Sequence, residues 1–298
     1  MNEVTCPGLP ASWVNSWLAA VGATVIDPRI RLRWTGDGNL AVLSADGLDP
    51  VEALTESWPE ERFVSELPIS SQWGKTKNME RKIPVEVFRD RARAARGSPQ
   101  SWTLSSTVTD LSVDKNGEVA HAPFDPPGPG TVKWLHHRLQ KIHGAVPNPS
   151  TERIKDSLMG KAPRIKNNGL GFDLARLGSG ADESDKWIDP ILEVLAFFGL
   201  ALFPMRGEGA DARQPMAGFD AGRQRGWRRP AAGGPRLFHW PAWGQPLGME
   251  GIDALLDTWK PSKTQNWDLL SVHAAWKSTA FKTSSTSDPT RAYGSERI

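Results

Sequence analysis

The chain has 298 residues with 36 Lys and Arg against 34 Asp and Glu, a formal net charge of +2, and one cysteine. A chain of this length can bury one large core or two ordinary ones, and a lone cysteine excludes an intrachain disulfide or a Cys-rich zinc site. The opening MNEVTCPGLP lacks the layout of a secretory signal, and the apolar run Val194 to Phe203 is about half the roughly 20 residues of a membrane span, so a cytoplasmic, non-membrane protein is expected.

The first 66 residues carry ten acids against four arginines, a net of −6. Within them, Trp13, Trp17 and Val21 recur at helical spacing, so a buried helix is expected from about Ser12, stopping at Gly22. Ile30, Leu32 and Trp34 alternate with Arg29, Arg31 and Arg33 ahead of a Gly-Asp-Gly turn, which reads as a β-hairpin with arginines on its open face. Residues 50–58 read as a short helix. Residues 74–97 hold eight bases against three acids, a net of +5, and Pro84 starts a helix running to about Arg96. Opposed charge in neighbouring segments points to an anionic partner for one face and a basic protein partner for the other.

Residues 102–124 alternate as strands around an Asn116-Gly117 turn, and FDPPGPG (124–130) breaks all regular structure. That break divides an N-terminal α+β part (1–125) from a C-terminal part (131–298), helical first and then α+β. In TVKWLHHRLQKIH (131–143), a helical projection puts Val132, Leu135, Leu139 and Ile142 on an apolar seam and Lys133, His137 and Lys141 along another side. No Asp or Glu lies between Thr131 and Val146 and the His-Glu-x-x-His pattern is absent, so a phosphate-facing or solvated edge is favoured over a metal site.

A second amphipathic stretch falls near 150–159. Asp189 is placed as N-cap and Pro190 at the first position of a buried helix reaching about Phe198, followed by a core strand after Gly199. Residues 207–236 read as a Gly, Pro and Arg-rich loop, in which Trp227 lies among Arg223, Arg225, Arg228 and Arg229 as a stacking ring beside guanidiniums. A strand at FHWPAW, a helix at GMEGIDALLDTW and a closing strand complete the chain. The fold class expected is α+β, with mixed helices and short antiparallel sheets in one large or two closely packed domains.

Most of the fourteen tryptophans are assigned to the core. The Gly-Lys-Thr at 74–76 is not a phosphate-binding loop, because the position that must be glycine is Ile69. No nucleophile elbow or dinucleotide fingerprint is present. What remains are basic elements with interleaved aromatics: Lys75, Lys77, Arg81, Lys82, Arg89, Arg93 and Arg96; Lys133, His137 and Lys141; and Arg223, Arg225, Trp227, Arg228 and Arg229.

The segments LPASWVNSWLAAVGATVI, RLRW, GTVKWLHHRL, KNNGLGFDLARLG, WIDPILEVLAFFGLALFPMRG, FHWPAWGQPL and DPTRAYGSERI together resemble the large-subunit-like proteins of type I-U (now I-G) CRISPR effector complexes. The resemblance is scattered over most of the chain and includes no catalytic signature. It implies a non-enzymatic part in an RNA-guided surveillance complex, without a cofactor, with other effector subunits and CRISPR RNA or target DNA as partners. Two other readings stand beside it: a metal-dependent nuclease using His136, His137 or His143 with a carboxylate such as Asp125, and a protein-only adaptor with tryptophans as interface anchors.

Overall fold

The computed structural model describes residues 2–61, 64, 84–94, 108–113, 117, 119–121, 139–167, 169–170, 187–203, 225–228, 233, 237–280 and 293–298. Within them the fold is α+β: helices packed with short antiparallel sheets. Strands β1 (Asn2–Pro10), β2 (Ile30–Trp34) and β3 (Leu40–Ala45) form a sheet in the order β1-β3-β2. The alternation read in the sequence is realised in β2, where Ile30, Leu32 and Trp34 are buried. The arginines between and beside them are partnered within the protein: Arg29 with Asp27 and Glu56, Arg33 with Glu3. Part of the acidic charge of the first 66 residues is therefore balanced by the hairpin next to it.

β1 pairs evenly with β3 from Asn2 to Cys6 and then slips, so that Pro10 meets Leu40. Proline cannot donate to a ladder, and Pro7 falls where the pairing breaks. Gly8 is required here by space. A Cβ on it would lie 2.6 Å from the Ser157 carbonyl and 2.7 Å from the Gly160 amide.

Helix α1 (Val14–Ile26) is buried at every residue except Asn15, as expected of a helix apolar on all sides. The glycine expected to end it does not. Gly22 lies inside α1 and faces Gly199 of a second helix; a Cβ on Gly22 would fall 1.7 Å from the Leu195 carbonyl oxygen, and one on Gly199 would fall 2.1 Å from that of Leu18. The glycines let two backbones meet, and the apolar turn beyond Gly22 carries the helix to Ile26.

Helix α2 (Pro50–Glu56) begins under an Asp49 cap that accepts from the Val51 amide. Helix α3 (Val85–Ala94) adjoins the hairpin of β4 (Val108–Val113) and β5 (Val119–His121), with Gly117 in the left-handed conformation of the turn. Residues 139–143 are helical, and Leu139 and Ile142 are buried as the seam required. Helix α4 (Thr151–Leu158) is capped by Ser150 and packs on α2 and β1.

A short ladder of β6 (Ile165–Lys166) with β7 (Trp187–Ile188) leads into α5 (Pro190–Gly199), where Asp189 caps and Pro190 opens the helix as expected. After Gly199 the chain forms a 3-10 turn at Leu200–Leu202 instead of the expected core strand. The helix runs on in a tighter coil because these residues continue to fill the same core.

The second sheet runs β11-β10-β9-β8, from β8 (Trp227–Arg228), β9 (Leu237–Trp243), β10 (Val272–Ala280) and β11 (Tyr293–Arg297). Helix α6 (Met249–Thr258) connects β9 to β10 through two 3-10 turns. The second sheet is tied to the first by a bridge between Leu32 and Leu247 and by the Trp243 indole N–H, which donates to the Leu32 carbonyl at 2.9 Å, and to the α1 region by Trp240 donating to Ala11 at 2.6 Å and Trp17 donating to Pro241 at 2.8 Å. One buried cluster extends from Cys6 to Trp276, so the segments on either side of 124–130 share a core.

Candidate nucleic-acid interface

The basic elements singled out in the sequence differ once folded. Lys75, Lys77, Arg81, Lys82, Arg96, Lys133, His137, Arg223 and Arg229, together with the Trp227 side chain, lie outside the described residues. Arg89 and Arg93 pair with Glu86 and Asp90 one turn earlier, at 3.1 and 2.6 Å. Such surface pairs contribute about 0–1 kcal/mol and yield readily to a stronger anion. Lys141 is exposed and Arg228 is half-buried.

Arg225 does not face solvent. It is 6 % exposed, and its guanidinium donates to the Leu202 carbonyl at 2.7 Å, to Asp253 at 2.5 Å and to Asp257 at 2.6 Å. Burying a guanidinium requires partners for its charge, and α6 supplies two carboxylates one turn apart. This arginine fixes the 225–228 segment against α6 and is withdrawn from any phosphate-binding set.

His143 is also a core residue. Its ring lies parallel to Trp58, 11° between planes, and Nε2 donates to the Pro59 carbonyl at 2.6 Å. Burial lowers its pKa despite that bond, so the ring is held neutral with the proton on Nε2. That bond uses Nε2 alone, and the ring as a whole is 1 % exposed among core residues. His136 and His137 lie outside the described residues, among which no group of three His, Cys, Asp or Glu is arranged to hold a metal ion.

A different segment holds the features that the sequence reading sought elsewhere. Residues 139–167 contain Lys141, Arg153, Lys155, Lys161, Arg164 and Lys166 against Glu152 and Asp156, a net of +4. Lys155, Lys161, Arg164 and Lys166 are exposed. Lys166 is the cross-strand partner of Trp187, which is 52 % exposed. One residue further along each strand past the Ile165–Ile188 pair, Arg164 and Asp189 line a cleft of about 480 Å³ whose rim includes Trp13, 46 % exposed.

Four elements build this cleft. The irregular end of β1 brings Pro7, Gly8 and Pro10, the first turn of α1 brings Trp13 to Ser16, the turn after α4 brings Gly160 and Ala162, and the start of α5 brings Asp189, Leu192 and Glu193. Glu193 is 1 % exposed and accepts from the Asn15 amide at 2.8 Å and the Leu170 N–H at 2.6 Å. Gly169, at φ +56°, passes so close that a Cβ would lie 2.8 Å from the Glu193 carboxylate. Asp189 accepts from the Ser157 hydroxyl and the Ile191 N–H, both at 3.0 Å. Burial nevertheless raises its pKa above the usual carboxylate range.

Trp13 was expected in the core with Trp17. It is instead the N-cap of α1, in an extended conformation, and precedes the buried face of the helix by one turn. The +4 charge of 139–167 was present in the sequence as a count. The exposure of Trp13 and Trp187 beside it was not, since a tryptophan-rich chain gives no signal of which rings stay outside.

No protein-family model, no curated protein and no solved structure matches this chain. Among the described residues no helix is long and apolar enough to cross a membrane.

Proposed function

We propose that this chain is a non-catalytic, nucleic-acid-binding subunit of an RNA-guided CRISPR surveillance complex, contacting CRISPR RNA or target DNA together with neighbouring effector subunits. The assembly it belongs to is suggested by the resemblance of its scattered segments to the large-subunit-like proteins of type I-G systems. The nucleic-acid part is supported by one observation: exposed Trp187 lies across the strand pair from exposed Lys166, and exposed Trp13 lines the same cleft as exposed Arg164. Aromatic faces stack on unpaired bases while nearby cations follow the phosphates, a combination suited to single strands or opened duplex. Large exposed tryptophans on a surface also serve protein contacts, but those are favoured by low charge, and the 139–167 segment beside these carries a net +4.

The test is binding of labelled single-stranded DNA and RNA across a salt series. Replacing Lys155, Lys161 and Lys166 with alanine should weaken binding at low salt and flatten the log–log salt slope by about 2, since each phosphate contact on a single strand releases about 0.7 counterion. Thermal stability should be unchanged. Absence of salt-dependent binding by the wild-type chain would sink the reading in favour of a protein-only adaptor. Metal-dependent cleavage abolished by His137→Ala would replace it with the nuclease.

A further inference from the structure

We infer that the cleft between the first turn of α1 and the first turn of α5 binds a single unpaired nucleotide, with the base against Trp13 and the phosphate between Arg164 and the α1 N-terminus. The inference rests on the nucleic-acid reading above and assigns it a specific pocket. Its volume of about 480 Å³ lies within the range of about 300–1,000 Å³ usual for small-molecule sites.

Three observations converge on an anionic group beside α1. Trp13 supplies no side-chain cap, and the N–H groups of Val14, Asn15 and Ser16 accordingly lack an acceptor among the described residues. These are the donors that carry the positive end of the helix dipole. Ser16 is 5 % exposed, lines the cleft, and its hydroxyl has no hydrogen-bond partner among the described residues. That hydroxyl is thus free to pair with an incoming oxygen in the cleft. Arg164 lines the same cleft with an exposed side chain that pairs with no carboxylate among the described residues.

The facing wall is built differently. Asp189 and Glu193 present carboxyl oxygens from α5, and the Glu193 oxygens are already engaged by Asn15 and Leu170. A bare phosphate would be repelled from that side and held on the Arg164 side. A base with an exocyclic amino group instead meets the Asp189 carboxyl as an acceptor there, so the two walls together suit a nucleotide better than inorganic phosphate.

The experiment follows the indole N–H resonance of Trp13, assigned with Trp13→Phe, as cytidine 5′-monophosphate, cytidine or ribose 5-phosphate is added to the full chain. The nucleotide should move the resonance at concentrations where neither fragment does, and Arg164→Gln should weaken the effect about tenfold with an unchanged melting midpoint. Ser16→Ala should weaken it without unfolding. An equal response to ribose 5-phosphate would reduce the cleft to an anion site and overturn the proposal. A Trp13 resonance unmoved by the nucleotide, with oligonucleotides still bound, would also overturn it while leaving the basic face intact. If the wild-type chain binds neither nucleotide nor oligonucleotide, both readings fail.

Discussion

Trp13 and Trp17 are one helical turn apart on α1, and the fold uses them in opposite ways. Trp17 is fully buried, donates its indole N–H to Pro241 and meets Trp243 edge-on at 6.3 Å and Phe203 at 5.7 Å. Trp13 borders a polar cleft with nearly half its surface in water. The same side chain at helical spacing is a packing element where sheets enclose it and a candidate stacking surface where the helix emerges. The difference lies in what the other chain segments bring to each turn, and mutation should separate the two ends.

The largest effect is expected at the enclosed end. Trp17→Ala should destabilise the protein by roughly 3–5 kcal/mol, read from chemical denaturation, because it leaves a cavity among the rings of Phe203, Phe238 and Trp243 and removes the donor to Pro241. A loss below about 1 kcal/mol would mean that α1 is not held to β9 through this ring. Next comes the helix crossing. Gly22→Ala should cost about 3 kcal/mol, at the upper end for overpacking, since the obstacle is the Leu195 backbone and cannot rotate away. Gly36→Ala, with nothing near its added Cβ, should be close to neutral, and equal costs at both positions would refute the close crossing.

A smaller effect should appear with pH. Burial lowers the pKa of His143, His239 and His273 in the folded chain. The unfolded chain binds more protons than the folded one below the unperturbed value of about 6.5, so stability should be level above that pH and fall as pH drops beneath it. Asp27 acts in a lower window. Burial raises its pKa, but donors from Arg29 and Ser57 outweigh that and hold it below the usual range, so its contribution is lost only as pH falls past about 4. Melting midpoints from pH 8 to 3 should therefore decline in two stages, and His143→Gln should shrink the first. A midpoint that rises between pH 7 and 5 would show that the fold takes up more protons than the unfolded chain there, through charged histidines or the raised Asp189 carboxyl.

The smallest stability change belongs to the open end. Trp13→Ala should alter unfolding free energy by no more than about 0.5 kcal/mol. Its effect should appear in oligonucleotide binding, where loss of one stacking ring costs roughly 1–3 kcal/mol. A severe loss of stability would place Trp13 with Trp17 and erase the contrast.

The elements that could be read in advance are those decided by their own residues. The β2–β3 hairpin follows from strict alternation around Gly-Asp-Gly, α2 and α5 from an Asp cap with proline at the first position, and the 139–143 turn from the spacing of Leu139 and Ile142. The candidate site was much less legible. The clusters chosen in the sequence were ranked by density of basic residues, but density does not tell whether a charge is already paired. Arg225 found Asp253 and Asp257 on a helix 28 and 32 residues away, whereas Arg164 lies in a segment where acids are few.

By itself the sequence determined the α+β class, the places where most strands and helices begin, and the assignment of most of the described tryptophans to the interior. Those features depend on periodicity, capping and turn chemistry, which act over a few residues. Tertiary structure alone decided that Gly22 is a crossing and not a stop, that residues 200–202 tighten into a 3-10 turn, that Arg225 and His143 are interior groups, and that Trp13, Arg164 and Glu193 border one cleft. Each of these depends on which distant backbone or charge arrives beside the residue: Leu195 against Gly22, α6 around Arg225, Trp58 over His143, and α5 opposite the first turn of α1. Burial and pairing are properties of that meeting, and one-dimensional spacing carries no record of it.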